Sequence, residues 1–229
     1  MPVTSALYES FPSYPFCPPR DLQARQPVAP VVIVGAGPVG LTLACALARH
    51  GVRSVVLEAR DSASFGSRAI CISRRSLEIW ARFGLAERPL AKGLPWVGGR
   101  SYWHRHEVLH FEMPHDATAQ HPPMINIQQC FVEQYLIDAA LDSGLVDLRW
   151  HSRVSTVTQR PDRVSLTVDT PAGVYALDAA HVVACDGARS TVRDALGMRL
   201  EGNSYEGRYL IADIALRQDW PVERLAWFD

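Results

Sequence analysis

The sequence predicts an α/β fold organised around a parallel sheet, and three observations predict it. Val31-Val32-Ile33-Val34 is a run of β-branched residues that reads as a strand buried on both faces. Gly35, Gly37 and Gly40 follow at once, spaced as Gly-x-Gly-x-x-Gly. A helical pattern comes next, and then a second strand, Arg53 to Leu57, that ends in Glu58. Strand, glycine turn, helix, strand and acid in that order describe a Rossmann-like unit.

Each glycine has its own task. Gly35 allows the tight turn, Gly37 lets a pyrophosphate approach the backbone, and Gly40 lets the helix pack close to the strand. Pro38 suits the first helical turn, where its missing N–H is no loss. The free amides around Val39 and the positive end of the helix dipole point at the phosphates. Leu43 and Leu47 share one face of this helix, Arg49 lies in its last turn, and Gly51 stops it. Glu58, roughly 20 residues beyond the last glycine, can accept hydrogen bonds from both ribose hydroxyls of an adenosine. It would repel a 2′-phosphate, so the pocket suits FAD or NAD better than NADP.

Composition narrows the class. Of 229 residues, 48% are hydrophobic and 21% charged, which describes a globular protein and neither a disordered nor a membrane-embedded one. A net charge of −1 makes no electrostatic case for nucleic acid or an anionic membrane. The apolar stretch from Val31 to Ala48 is broken by three glycines and a proline, which argues against a membrane span. No basic start, apolar run and small-residue cleavage site open the chain, so a cytoplasmic location is expected. The five cysteines, Cys17, Cys45, Cys71, Cys130 and Cys185, never pair as Cys-x-x-Cys and read as reduced thiols, mostly small core residues.

Residues 1–29 carry Pro12, Pro15, Pro18, Pro19 and Pro27 together with Tyr8, Phe11, Tyr14 and Phe16; they read either as an arm packing by its aromatics or as a mobile tail. A helix near Arg74–Phe83, closed by Gly84, puts Leu77, Trp80 and Phe83 toward a core. Trp96 to Met113 alternates polar and apolar residues and predicts two or three short antiparallel strands. A helix over Phe131 to Asp142 turns Val132, Leu136 and Ala139 inward and stops at Gly144. Short strands are expected at Leu148–Val157, Arg163–Val168, Val174–Leu177 and Val182–Cys185. A short helix runs from Ser190 to Leu196, and a last strand is expected over Leu210–Leu216. His104, His106 and His110 would share one face of a strand, but no cysteine or carboxylate pair completes a tetrahedral set, so no metal site is expected. Arg74 and Arg75 read as solvated helix charges.

Asp186-Gly187-Ala188-Arg189-Ser190 follows the apolar strand Val182-Val183-Ala184-Cys185, and a helix follows it in place of a pairing strand. Together with the glycine turn, Ser67-Arg68-Ala69, and Gln129 four residues before Glu133, this sequence resembles the group A flavoprotein monooxygenases. These are FAD-dependent aromatic hydroxylases similar to para-hydroxybenzoate hydroxylase, with the nearest likeness to the branch that acts on phenolic acids such as 3-(3-hydroxyphenyl)propionate. The resemblance covers residues 30–229.

The resemblance implies a Rossmann-like FAD-binding domain with the beginning of a β-sheet substrate-binding region. On that basis residues 1–29 form an N-terminal arm. Residues 30–95 and 114–200 form an incomplete FAD-binding domain, and 96–113 with 201–229 form part of the substrate sheet. Gly35, Gly37, Pro38, Val39 and Gly40 would hold the FAD pyrophosphate and Glu58 the adenosine ribose. Arg60 would flank the adenine, and Arg68 and Gln129 would contact the phosphate or ribityl region. Asp186 and Gly187 would serve FAD binding and the approach of NADH or NADPH. Arg189, Ser190 and Arg193 would support that loop.

The implied reaction is NAD(P)H- and O2-dependent hydroxylation of a small aromatic substrate. The flavin carries the difficult chemistry, so no protein acid or base is assigned as catalytic. The family's second FAD motif, a Gly-Asp pair, lies downstream of anything in this sequence, so the expectation is the N-terminal part of such an enzyme. Two alternatives stay open: a truncated, non-catalytic dinucleotide-binding module, or another FAD-dependent oxidoreductase on the same scaffold.

Overall fold

The computed structural model describes residues 11–66, 68–114, 118–212, 214, 217 and 220–229. Tyr8, Ser67 and part of the expected strand over Leu210–Leu216 lie outside the described residues. Two compact units divide the chain: one holds Gly66–Val132 and Ile211–Asp229, the other Glu9–Phe65 and Glu133–Leu210.

The second unit is built on a six-stranded sheet. Its strands are β1 (Ala29–Val34), β2 (Ser54–Leu57), β8 (Val146–Arg149), β9 (Arg153–Gln159), β10 (Val164–Thr170) and β11 (Gly173–Ala184), in the order β8-β2-β1-β11-β10-β9. β8, β2, β1 and β11 run parallel, while β11, β10 and β9 form an antiparallel meander. Alternation sends Val32, Val34, Val55, Leu57, Leu166, Val168, Leu177 and Ala179 into one buried cluster. Ile33 and Val56, fully buried, point the other way, toward α1 (Pro38–Arg49).

β11 corrects one expectation. The segments Val174–Leu177 and Val182–Cys185 are one continuous strand that changes partner at Ala179. Its first half pairs antiparallel with β10 and its second half parallel with β1. Asp178-Ala179-Ala180-His181 looks like a break in sequence, but the backbone stays extended because both halves have ladders to satisfy. The opposite correction applies to Leu148–Val157, which is two strands. His151 takes a positive φ of 53° and turns the chain between β8 and β9.

In α1 the deeply buried residues are Gly40, Leu41, Ala44 and Cys45, with Leu43 and Leu47 half-buried. The small residues face inward because the helix lies close to the sheet. The helix ends at His50, and Gly51 adopts φ +73°. Val52 N–H donates to the Leu47 carbonyl over 2.9 Å and Gly51 N–H to Ala48 over 2.9 Å, a Schellman stop. α4 (Gln129–Asp142) starts two residues earlier than its hydrophobic pattern, and buries Val132, Leu136, Ile137 and Ala140. Cys45 Sγ donates to the Leu136 carbonyl at 3.5 Å, so α1 and α4 are neighbours. Ser190 caps α5 (Thr191–Ala195) by accepting from Arg193 N–H at 3.0 Å.

The first unit holds two small sheets. β3 (Cys71–Ser73), β7 (Met124–Asn126) and β4 (Leu94–Trp96) form one, in the order β3-β7-β4. β5 (Gly98–Trp103), β6 (His106–Glu112) and β12 (Arg224–Phe228) form the other. β5 and β6 are the antiparallel pair expected within Trp96 to Met113. The final strand falls over Arg224–Phe228, parallel to β5, while Leu210, Ile211, Ala212 and Ile214 are not in a strand. α2 (Arg74–Ala81) buries Leu77 and Trp80, and α3 (Glu87–Lys92) was not legible from periodicity. His104 sits in the β5–β6 turn with φ +52°, not on a strand face with His106 and His110.

Two side-chain expectations are also corrected. Arg74 is half-buried, and its Nε donates to the His121 carbonyl at 2.9 Å; it is not a solvated charge. Of the five cysteines, Cys45 and Cys130 are buried, Cys185 is half-buried, and Cys17 and Cys71 are exposed. Small size permits burial of a thiol but does not require it.

Candidate dinucleotide-binding site

The register of the parallel strands brings three chain segments to one end of the sheet. Val34 pairs with Leu57 on one side and Ala184 on the other, so Gly35, Glu58 and Cys185-Asp186 leave the sheet side by side. The chain passes from β1 to β2 in one direction and reaches β11 in the other. Crevices beyond the carboxyl ends of strands at such a reversal are where open α/β sheets take ligands.

The glycine turn is packed from below. Gly35 has φ +103°, and a Cβ there would lie 2.4 Å from the Cys185 carbonyl oxygen. A Cβ on Gly40 would lie 2.0 Å from the Gly35 carbonyl oxygen. Both positions are therefore required to be glycine by the protein's own packing. Gly37 differs. Its φ of −79° and ψ of −178° suit any residue, and a Cβ there would meet nothing within 4 Å. The open space above Gly37 borders the N-terminus of α1, which has Pro38 at its start, no side-chain cap and no acidic residue in its first turn. The amides of Val39 and Gly40 precede the first intrahelical bond, Leu41 N–H to Gly37 carbonyl. Val39 is 70% exposed. An uncompensated helix N-terminus beside open space fits a phosphate group.

Glu58 faces this turn. It is buried at 8% exposure, and its Oε2 accepts from Ala36 N–H at 2.8 Å. Oε1 accepts from Arg60 N–H at 2.9 Å and Arg60 Nε at 3.1 Å. Three donors leave the carboxylate with spare acceptor capacity for a hydroxyl. Arg60 keeps 41% of its side chain exposed beside it.

Asp186 closes the third side. Its Oδ1 accepts from Ser190 Oγ at 2.6 Å and its Oδ2 from Val192 N–H at 3.2 Å. Arg193 Nη1 donates to the Ala188 carbonyl at 2.9 Å, holding the exposed Gly187–Arg189 turn from behind. The neighbouring Cys185 thiol has its pKa raised by burial first and by the Asp186 charge second.

Gly35, Glu58 and Asp186 line a hollow of about 150 Å3, with Ala59, Ser152, Arg153, Val154, Arg189 and Thr191 among its other walls. Complete ligand pockets run to roughly 300–1,000 Å3, so this hollow fits one part of a dinucleotide and not the whole. The 152–154 wall carries no sequence motif; only the turn after β8 brings it here. Of the other candidates, Arg68 is exposed and Gln129 opens α4 half-buried, and both fall in the first unit. Glu133, 1% exposed, accepts from the Ser64 backbone N–H and so anchors the loop after Arg60. The first unit has a separate hollow of about 470 Å3, walled by Cys71, Leu94, Trp96, Asn126 and the stretch from Trp220 to Arg224.

Known proteins resemble this chain in sequence and in fold. A 3-(3-hydroxy-phenyl)propionate/3-hydroxycinnamic acid hydroxylase of Mycolicibacterium smegmatis is 34% identical over 190 residues, covering 81% of this chain and 33% of that protein. Para-nitrophenol 4-monooxygenase of a Pseudomonas species is 31% identical over 187 residues, covering 80% of this chain and 46% of that protein. Among solved structures, the flavin-dependent monooxygenase PieE, in complex with FAD and substrate, superposes with a TM-score of 0.71 at 27% identity. It covers 79% of this chain and 34% of its own. Thus the chain spans about a third of the length of the first of these relatives. The family model for an FAD binding domain matches residues 28–228. The chain belongs to that FAD binding domain family, and its relatives are flavin-dependent monooxygenases.

Proposed function

We propose that this chain supplies the adenosine and pyrophosphate grip of an FAD-dependent monooxygenase that hydroxylates a small phenolic substrate with NADH or NADPH and O2. The single observation that carries the reading is Gly37, a glycine that neither its backbone angles nor its protein neighbours require. FAD held at this turn, with its pyrophosphate on Gly37, Val39 and Gly40 and its adenosine ribose on Glu58, would supply the redox chemistry of the hydroxylation. The chain's own residues bind and orient. The amides of Gly37, Val39 and Gly40 face the pyrophosphate, and Glu58 accepts from the adenosine ribose.

Arg60 flanks the adenosine, and Arg68 and Gln129 extend the grip toward the flavin end. Asp186 and Gly187 form the edge past which NAD(P)H approaches. No side chain here is given the role of general acid or base. The substrate side belongs to 96–113 and 201–229, where Trp220, half exposed at the wall of the hollow of about 470 Å3, offers an indole surface to a planar ring. A phenolic acid is the substrate class supported by the hydroxylase relatives, and a cytoplasmic setting goes with this reading. Among the described residues, no helix is long and apolar enough to cross a membrane.

The test is a titration of the purified chain with FAD and, separately, with ADP, which carries the adenosine and both phosphates but no flavin, and with FMN, which carries the flavin but no adenosine. Saturable binding of both supports the reading. Binding of FMN with no measurable ADP binding would sink it, since the grip would then be on the wrong end.

A further inference from the structure

We propose that the arm preceding β1 sets the affinity of the adenosine site through Tyr14, which holds the turn bearing Glu58 and Arg60. Tyr14 is a positioning residue. This inference rests on the reading of Glu58 given above. The arm lies before residue 28, outside the residues matched by the FAD binding domain family.

Past the last paired residues of β2 and β8, Leu57 and Arg149, two backbone segments continue side by side. Glu58 N–H donates to the Arg149 carbonyl at 2.9 Å, Ser152 N–H to the Glu58 carbonyl at 2.8 Å, and His151 N–H to the Arg60 carbonyl at 3.0 Å. Glu58 thus depends for its orientation on a short, irregular bracket, not on a long ladder. Tyr14 touches both sides of that bracket. Its ring stacks on the Trp150 indole, with centroids 4.7 Å apart and planes 3° from parallel. Its N–H donates to the Asp61 carbonyl at 2.7 Å, and Ser13 Oγ donates to Asp61 Oδ2 at 3.0 Å. Its hydroxyl accepts from Gln134 Nε2 at 2.8 Å, which fixes the ring from the α4 side.

Further along the arm, Asp21 pairs with the Arg149 side chain at 2.9 Å, at the start of the bracket, and Arg25 pairs with Asp178, away from it. Arg25 is 69% exposed and far along the arm from the bracket, so it separates general arm docking from the specific action of Tyr14.

The experiment uses the 229-residue chain as wild type, Tyr14→Ala, Tyr14→Phe and Arg25→Ala. ADP affinity is measured by calorimetry, and backbone hydrogen exchange is followed at Ala36 and Tyr14. Tyr14→Ala removes the ring stack on Trp150 and is expected to weaken ADP about tenfold and to speed Ala36 exchange. Tyr14→Phe keeps the stack and the backbone bond, and should lie within about twofold of wild type. Arg25→Ala should lower the melting temperature and leave ADP affinity unchanged. Because coupling is reciprocal, ADP should also slow exchange at the Tyr14 amide of the wild type. That last measurement stands even if Tyr14→Ala does not fold. Unchanged ADP binding in Tyr14→Ala, an equal loss in Arg25→Ala, or no protection of Tyr14 by ADP overturns the proposal while leaving the adenosine site intact. Failure of the wild type to bind ADP at all overturns the adenosine site itself, and the proposal with it.

Discussion

The Ala36 N–H donates to Glu58 Oε2 over 2.8 Å, joining the middle of the glycine turn to a carboxylate that ends the next strand. The bond makes the turn and the acid one object. If the turn shifts, the carboxylate loses its partner; if the carboxylate is lost, a buried amide is left bare.

Glu58→Gln should therefore cost both binding and stability. One amide face would set an NH2 against either Ala36 N–H or the Arg60 donors, and the charge would be gone. Hydrogen bonds to charged groups are worth about 1.5–3 kcal/mol, so FAD affinity should fall about 10- to 100-fold. The melting temperature should fall with it. A flavin titration at wild-type strength in Glu58→Gln would show that the carboxylate has no part in the grip.

The three glycines should separate by readout. Gly35→Ala and Gly40→Ala drive a methyl into backbone oxygens at 2.4 and 2.0 Å, so both should unfold more easily by a few kcal/mol, roughly the cost of overpacking. Gly37→Ala should melt like the wild type and bind FAD at least about tenfold more weakly, because its methyl projects into the open space proposed for the phosphates. A melting loss in Gly37→Ala equal to the other two would contradict this.

Ser190→Ala removes the α5 cap and one donor to Asp186 together. The expected loss is about 1 kcal/mol, a drop of roughly 2–4 °C in a chain of this size. Thermal melting checks it, and no drop would mean that the cap is taken over by solvent or by Asp186.

Acid should act through Asp178. The Ser165 hydroxyl first, and the Arg25 guanidinium next, hold its carboxyl below its usual value of 3.8. A depressed carboxylate stabilises the fold above the unfolded pKa, and the contribution is lost as pH falls through the folded one. Ser165→Ala should raise the folded pKa and move the acid-unfolding midpoint to higher pH. Equal midpoints for wild type and variant would dismiss the effect.

Thiol labelling should divide the cysteines. Burial pushes the Cys45 thiol up to about 11, so it stays protonated and covered at pH 8. Cys17 and Cys71 are exposed and should alkylate first, with Cys45 and Cys130 protected until unfolding. Peptide mass analysis after a timed pulse reads the order, and early labelling of Cys45 would contradict its burial.

The parts of this protein written in local chemistry were legible from the residues alone. Four β-branched residues, three spaced glycines and an acid at a strand end are short-range signals, and they placed β1, the turn, α1, β2 and Glu58. Gly51 read as a helix stop because a positive φ is a property of one residue. What depended on partners was not legible. β11 looked like two strands because its two ladders lie with β10 and β1, far apart in sequence. β12 found its place beside β5 only in three dimensions. The burial of Arg74, the wall formed by 152–154 and the clamp of Tyr14 on Trp150 all depend on long-range packing, which local periodicity does not encode. The sequence alone determined that a glycine turn would stand beside a carboxylate. Tertiary structure decided what holds that carboxylate in place, because a side chain's orientation is set by whatever the fold brings against it.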